Sequence, residues 1–131
     1  MKNVSVYRPP GRPAQAAAFI ENLEPKLREK LLLQIHRLSQ TPLSGLKEPH
    51  YKHFVLEKYR SLYEVREKNK IVVRVIFTIR ADGEILLLYA FIKKQSRDTM
   101  QALEQSLRIL SELRKHPEYA VEYIIQEEAL K

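Results

Sequence analysis

The spacing of apolar positions along the chain changes from helical to strand-like and back. Ala16, Ile20 and Leu23 stand at helical spacing within residues 14–23, and Pro13 suits the first turn of such a helix. Pro25 marks a second helix from about Glu24, with Leu27, Leu31, Ile35 and Leu38 on one face and Lys26, Arg28, Lys30 and Arg37 spread over the rest. It is expected to end before Pro42, and His36, among its polar positions, reads as solvated surface. Ahead of both helices, residues 3–7 alternate weakly and predict a short strand that Pro9 and Pro10 stop.

Residues 41–53 hold Pro42, Gly45 and Pro49 and read as a loop. Residues 62–66, 71–79 and 85–92 are then rich in Val, Ile, Leu, Tyr and Phe, which predicts three strands. Residues 67–70 and 81–84 separate them, and Asp82-Gly83 is a strong hairpin signal. Short turns require antiparallel neighbours, so a meander of three strands is expected, or four if residues 54–57 join. Met100, Leu103, Leu107 and Leu110 restore helical spacing, with Ser96 or Asp98 able to cap a third helix running to about Arg114. Past Pro117, residues 118–130 allow a further amphipathic turn or two. The order predicts an α+β domain of two N-terminal helices, an antiparallel three- to four-stranded sheet and a C-terminal helix, with helices on one sheet face and the other face open.

A chain of 131 residues, 44% of them hydrophobic, fits one domain over 1–131. The absence of Cys excludes disulfides, thiol nucleophiles and Cys-based zinc sites. His50 and His53 have no third ligand at metal spacing, so no metal is expected. The three Gly form no phosphate-cradling loop, which argues against nucleotide hydrolysis, and no cofactor is expected. The apolar run 85–92 is far shorter than the roughly 20 residues of a membrane-spanning helix. The N-terminus lacks the apolar core of a secretory signal, so a cytoplasmic location without membrane partners is expected.

Charge changes this picture more than composition does. The net charge is +7, but residues 1–115 carry 22 basic and 12 acidic groups while residues 116–131 carry one Lys and four Glu. The body is therefore +10 and the C-terminal extension, 116–131, is −3, a balance that suits a polyanion such as nucleic acid and equally a solvated cationic surface. Arg74 is the informative cation, because Val72, Val73, Val75 and Ile76 surround it. Its guanidinium must pair, with Glu64 across the hairpin for example, or open into an anion-binding cleft. Arg66 on the preceding strand and Lys93 and Lys94 at the end of the third, just ahead of a helix start, would complete such a cleft. His50 and His53 flank Tyr51, an arrangement that suits stacking a base and titrating near neutrality, or simply a solvated loop.

The runs Leu62-Tyr63-Glu64-Val65-Arg66, Val73-Arg74-Val75-Ile76-Phe77 and Leu87-Leu88-Tyr89-Ala90-Phe91-Ile92-Lys93-Lys94, followed by a helix, resemble the RelE/ParE toxin superfamily, and within it the HigB-like, phage-associated branch. The resemblance spans roughly residues 19–113. It departs from the pattern in lacking a glycine in the turn 67–70, in Val73 where an aromatic usually precedes the arginine, and in having no proline between Lys94 and the helix. Glu64 stands where the RelE branch tends to be basic and the HigB-like branch acidic.

What the resemblance implies is a RelE-like fold and a metal-independent, ribosome-dependent messenger-RNA endonuclease, held inactive by a cognate antitoxin. Arg74, Arg66 and Lys94 match its RNA-gripping and cleaving positions, with Lys93 a partner. Such cleavage uses the ribose 2′-hydroxyl as nucleophile, so a guanidinium at Arg74 would stabilise the phosphorane. Glu64, His50, His53 and Lys93 stand as candidates for proton transfer. Two other readings share the resemblance: an inhibitor of a host factor such as DNA gyrase, as in the ParE branch, and a phage protein that binds nucleic acid or a host factor without cutting. A helix-turn-helix is disfavoured, because no third recognition helix accompanies the first two.

Overall fold

The computed structural model describes residues 3–41, 45 and 49–125. A strand β1 (Val4–Tyr7) is followed by helices α1 (Gln15–Glu21) and α2 (Pro25–Gln40), then strands β2 (Tyr51–His53), β3 (Tyr63–Asn69), β4 (Ile71–Ile79) and β5 (Ile85–Lys93). Helix α3 (Ser96–Lys115) and a last strand β6 (Ala120–Glu122) complete the described chain. Local chemistry sets several boundaries. The Glu24 carboxylate accepts from the backbone N–H of Lys26 and Leu27 at 3.0 and 3.1 Å, and Pro25, which has no N–H to leave unbonded, opens α2. The first turn of α3 is closed by Asp98, which accepts from the N–H groups of Lys94 and Gln95 at 2.8 and 2.9 Å. Gly83, at φ 88°, turns the β4–β5 hairpin beside Asp82, whose carboxylate takes the Glu84 N–H.

The strands form one six-stranded mixed sheet in the order β2-β3-β4-β5-β1-β6. β2 to β5 are antiparallel neighbours, β1 lies parallel to β5, and β6 lies antiparallel to β1. Both faces are covered. Val65, Val73, Val75 and Phe77 pack with Ile20 of α1 and with Leu27, Leu31 and Ile35 of α2, while Leu62, Ile76, Leu86 and Leu88 pack with Leu103, Ile109 and Leu113 of α3. A bulge makes this possible on β5. Ile76 pairs with Tyr89 and Phe77 with Leu87, so Leu88 has no partner on β4 and the alternation of β5 changes phase there. Ile85 and Leu87 before the bulge, and Ala90 after it, thus face α1 and α2.

The α+β class and the three helices agree with the sequence pattern, and the sheet departs from it. It has six strands where three or four are expected, and it is mixed because β1 inserts in parallel between β5 and β6. The additional antiparallel strand is 51–53 rather than 54–57, where Phe54 is buried and Glu57–Tyr59 form a 3-10 turn. Helices lie on both faces rather than one. Residues 118–125 give a 3-10 turn and β6 instead of a helical turn, and the remainder of that predicted segment lies outside the described residues.

β3 runs on to Asn69, which leaves Lys70 to make the turn at φ 68°, a left-handed conformation that costs a side-chain-bearing residue about 1–2 kcal/mol. Part of that is offset by the greater freedom of glycine in the unfolded chain. Lys70→Gly is therefore expected to stabilise the domain by about 0.5–1 kcal/mol, read as a higher urea midpoint at unchanged slope.

Candidate functional site

Register places Arg66 directly opposite Arg74 on the neighbouring strands β3 and β4. Like charges in that position repel, and the sheet resolves this with Glu64, two residues before Arg66 and on the same face. Glu64 is fully buried, at 0% exposure, while Arg66 and Arg74 keep side-chain exposures of 24% and 15%. Glu64 Oε1 lies 3.0 Å from Arg66 Nη2 and 3.1 Å from Arg74 Nη1. Neither contact has hydrogen-bond alignment, so the attraction there is Coulombic, and Arg74 Nη1 donates to Oε2 at 3.4 Å. Both arginines bury their Nε groups without a hydrogen-bond partner among the described residues. Burial pushes Arg74 below the usual arginine range, the Glu64 carboxylate opposes that, and Arg66 adds to it. One carboxylate thus holds two guanidiniums together and leaves the trio with a positive charge, which suits a phosphate or another anion.

Lys93 pairs with Val72 while Arg74 pairs with Phe91, so Lys93 and Arg74 share this face two residues apart along the ladder. Lys94, the next residue, is exposed where the chain leaves β5. Its N–H and that of Gln95 hold the Asp98 carboxyl below its ordinary range. Asp98 thereby occupies donors at the start of α3 that an external anion would use, so anion binding here falls to side chains. Two cations that the sequence reading passed over lie on the same face: Lys52, which pairs with Glu64, and exposed Lys68, which pairs with Val72. Lys68 could have been found by extending the β3 alternation through 64, 66 and 68.

His50, Tyr51 and His53 lie elsewhere. Tyr51 pairs with Val65 and His53 with Tyr63, on the face of the sheet that packs against α2. The Tyr51 hydroxyl lies 2.9 Å from the Gln34 carbonyl and 3.0 Å from Gln34 Oε1, and burial pushes its pKa to about 12. His53 stacks on Tyr63 at 4.2 Å, and its Nε2 lies 2.6 Å from the Arg60 carbonyl, which assigns that nitrogen the proton. His50 Nδ1 is 3.4 Å from Glu67 Oε2, the same oxygen that accepts from Gln34 Nε2. The structure therefore gathers Arg66, Arg74, Glu64 and Lys93 on one face, with Lys94 at its end, and sets the loop aromatics on the other.

Residues 18–115 match the family model described as Phage derived protein Gp49-like (DUF891). The chain belongs to this family. The Gp49-like match takes in α2, β2 to β5 and α3, hence the arginine–glutamate trio and both lysines, and leaves β1 and β6 outside. Gp49-like proteins are a phage-derived, RelE/toxin-like family, and membership is consistent with a toxin-like protein. No curated protein matches the chain. Among the described residues of this Gp49-like protein, no helix is long and apolar enough to cross a membrane.

Removing the shared counter-charge should be costly, because breaking a buried ion pair from one side typically costs about 3–5 kcal/mol. Glu64→Gln is expected to lower stability by about that amount in urea unfolding. Adding Arg66→Met to Glu64→Gln should recover part of the loss, since it removes the guanidinium that repels Arg74, and a double-mutant cycle reads that coupling.

Proposed function

We propose that this Gp49-like protein is the toxin of a toxin–antitoxin pair, of the HigB-like branch of the RelE/ParE superfamily, and that it cuts messenger RNA on the ribosome. The observation that carries this reading is the Arg66–Glu64–Arg74 trio beside Lys93 and Lys94, on strands that the family match covers. In the proposed reaction the ribose 2′-oxygen attacks the adjacent phosphorus, the bond to the 5′-oxygen breaks, and a cyclic phosphate and a free 5′-hydroxyl result. Arg74 stabilises the phosphorane, while Arg66 and Lys94 hold flanking phosphates. Glu64, buried between two guanidiniums, acts by positioning them rather than by taking a proton. Among the candidates for proton transfer, Lys93 shares the face of Arg74, while His50 and His53 are engaged on the opposite face. The partners in this reading are messenger RNA on the ribosome and a cognate antitoxin, and the location is the cytoplasm.

The test is primer extension on messenger RNA isolated from translating ribosomes, with the wild type, Arg74→Ala and Lys94→Ala. The wild type should cut within the ribosomal A site, and each variant should fall on the order of a hundredfold while keeping its circular dichroism spectrum. A folded wild type that cuts nothing would defeat the endonuclease reading. It would leave nucleic-acid binding, seen as a salt-dependent affinity, or inhibition of a factor such as gyrase.

A further inference from the structure

β1 covers β5 only along Ile85 to Leu87, because the chain turns away at Pro9 and Pro10 after Tyr7. Beyond Leu87 the edge of β5 has no strand beside it on that side among the described residues, and a side chain fills one position instead. The Gln15 amide donates from Nε2 to the Ala90 carbonyl at 2.7 Å, and its Oε1 accepts from the Ala90 N–H at 2.8 Å. A primary amide bonded to both the N–H and the carbonyl of one residue reproduces what one residue of an antiparallel neighbouring strand would offer. Two residues on, the backbone of Ile92 points the same way by strand geometry, and Ile92 is 36% exposed.

This edge opens into a groove of about 810 Å³ between α1 and α3. Its walls include Phe19, Leu23, Ile71, Tyr89, Ile92 and Ile109, of which Ile71 is 39% exposed. The rim is charged. Its carboxylates are already engaged: Glu24 by the start of α2 and by Asn69, and Glu112 by the Tyr7 hydroxyl. Its cations, Arg12 and Arg108, are exposed and form no ion pair among the described residues, and Arg108 Nη1 donates only to the neutral Gln105 Oε1, at 3.3 Å.

We propose that this groove binds an extended, acidic and apolar segment of a partner polypeptide, which displaces the Gln15 amide and adds a strand to β5 in line with β1. Open backbone donors and acceptors call for a strand, apolar walls for its alternate side chains, and exposed arginines without a carboxylate partner among the described residues for its carboxylates. β6 pairs Ala120 with Tyr7 and Glu122 with Ser5 and so runs away from the groove. The site is separate from the Arg66–Arg74 face, and its test needs no RNA cleavage.

The probe is a seven-residue, end-blocked peptide of alternating glutamate and valine, titrated into the isotope-labelled full chain and followed by amide NMR. The Ala90 and Ile92 amides and the Gln15 side-chain NH₂ should shift together. Of two versions of the peptide, one N-methylated at every valine and one at every glutamate, one should lose at least tenfold in affinity and the other keep it, since a strand bonds through alternate residues. Gln15→Ala should raise affinity severalfold by removing the competing amide. The proposal is overturned by no shift at Ala90 and Ile92 at millimolar peptide, by equal affinity of the two methylated versions, or by weaker binding to Gln15→Ala. Concentration-dependent shifts at the same residues without peptide would assign the groove to a second copy of the chain and overturn it as well.

Discussion

Glu64 is the charge on which the functional face depends. β4 is a central strand with helices on both sides of its sheet, a setting where an arginine would ordinarily be expelled. A guanidinium is tolerated at position 74 because a carboxylate with 0% exposure meets it from the adjacent strand. Register then brings Arg66 opposite, so the same carboxylate must serve both. The arrangement is stable only as a trio: without Glu64, two cations repel in a poorly solvated place, and without either arginine, less charge compensates a buried anion. The positive surplus that would make the face useful to a phosphate thus follows from how the sheet solves a burial problem.

The second constraint is the early departure of β1. Proline at positions 9 and 10 ends the strand, which leaves the C-terminal half of β5 short of a neighbour. The bulge at Leu88 falls just past the last residue that β1 pairs. After it, Ala90 faces α1, where Gln15 at the first position of that helix can reach its backbone. Proteins blunt open sheet edges in several ways, and here one side-chain amide does so at one residue.

Much of this fold is legible in the sequence for a simple reason: long elements carry many periods of their pattern. α2, α3, β4 and β5 are the clearest cases, and Asp82-Gly83 fixes their hairpin. β2 is not legible, because three residues between Pro49 and a 3-10 turn hold little more than one period of strand alternation. The parallel placement of β1 is a long-range fact about residues eighty positions apart, on which local patterning is silent. That helices cover both sheet faces is hidden too. Central strands buried on both sides lose their polar alternation, as Val75, Ile76 and Phe77 show, all at 0% exposure.

The candidate site was half legible for the same reasons. An arginine inside an apolar strand announces itself, and so does the choice between a carboxylate partner and an anion cleft; the structure gives Arg74 the partner and leaves net positive charge around it. His50, Tyr51 and His53 carry no such signal. Their chemistry suggests base stacking and proton transfer, but strand parity decides which way side chains point, and it is set by a three-residue strand whose register cannot be read locally. That parity sends Tyr51 and His53 toward α2 and Lys52 toward Glu64, so one unread register both removes aromatics from the cationic face and adds a lysine to it. A site assembled from neighbouring strands is therefore specified by pairing as much as by residue type.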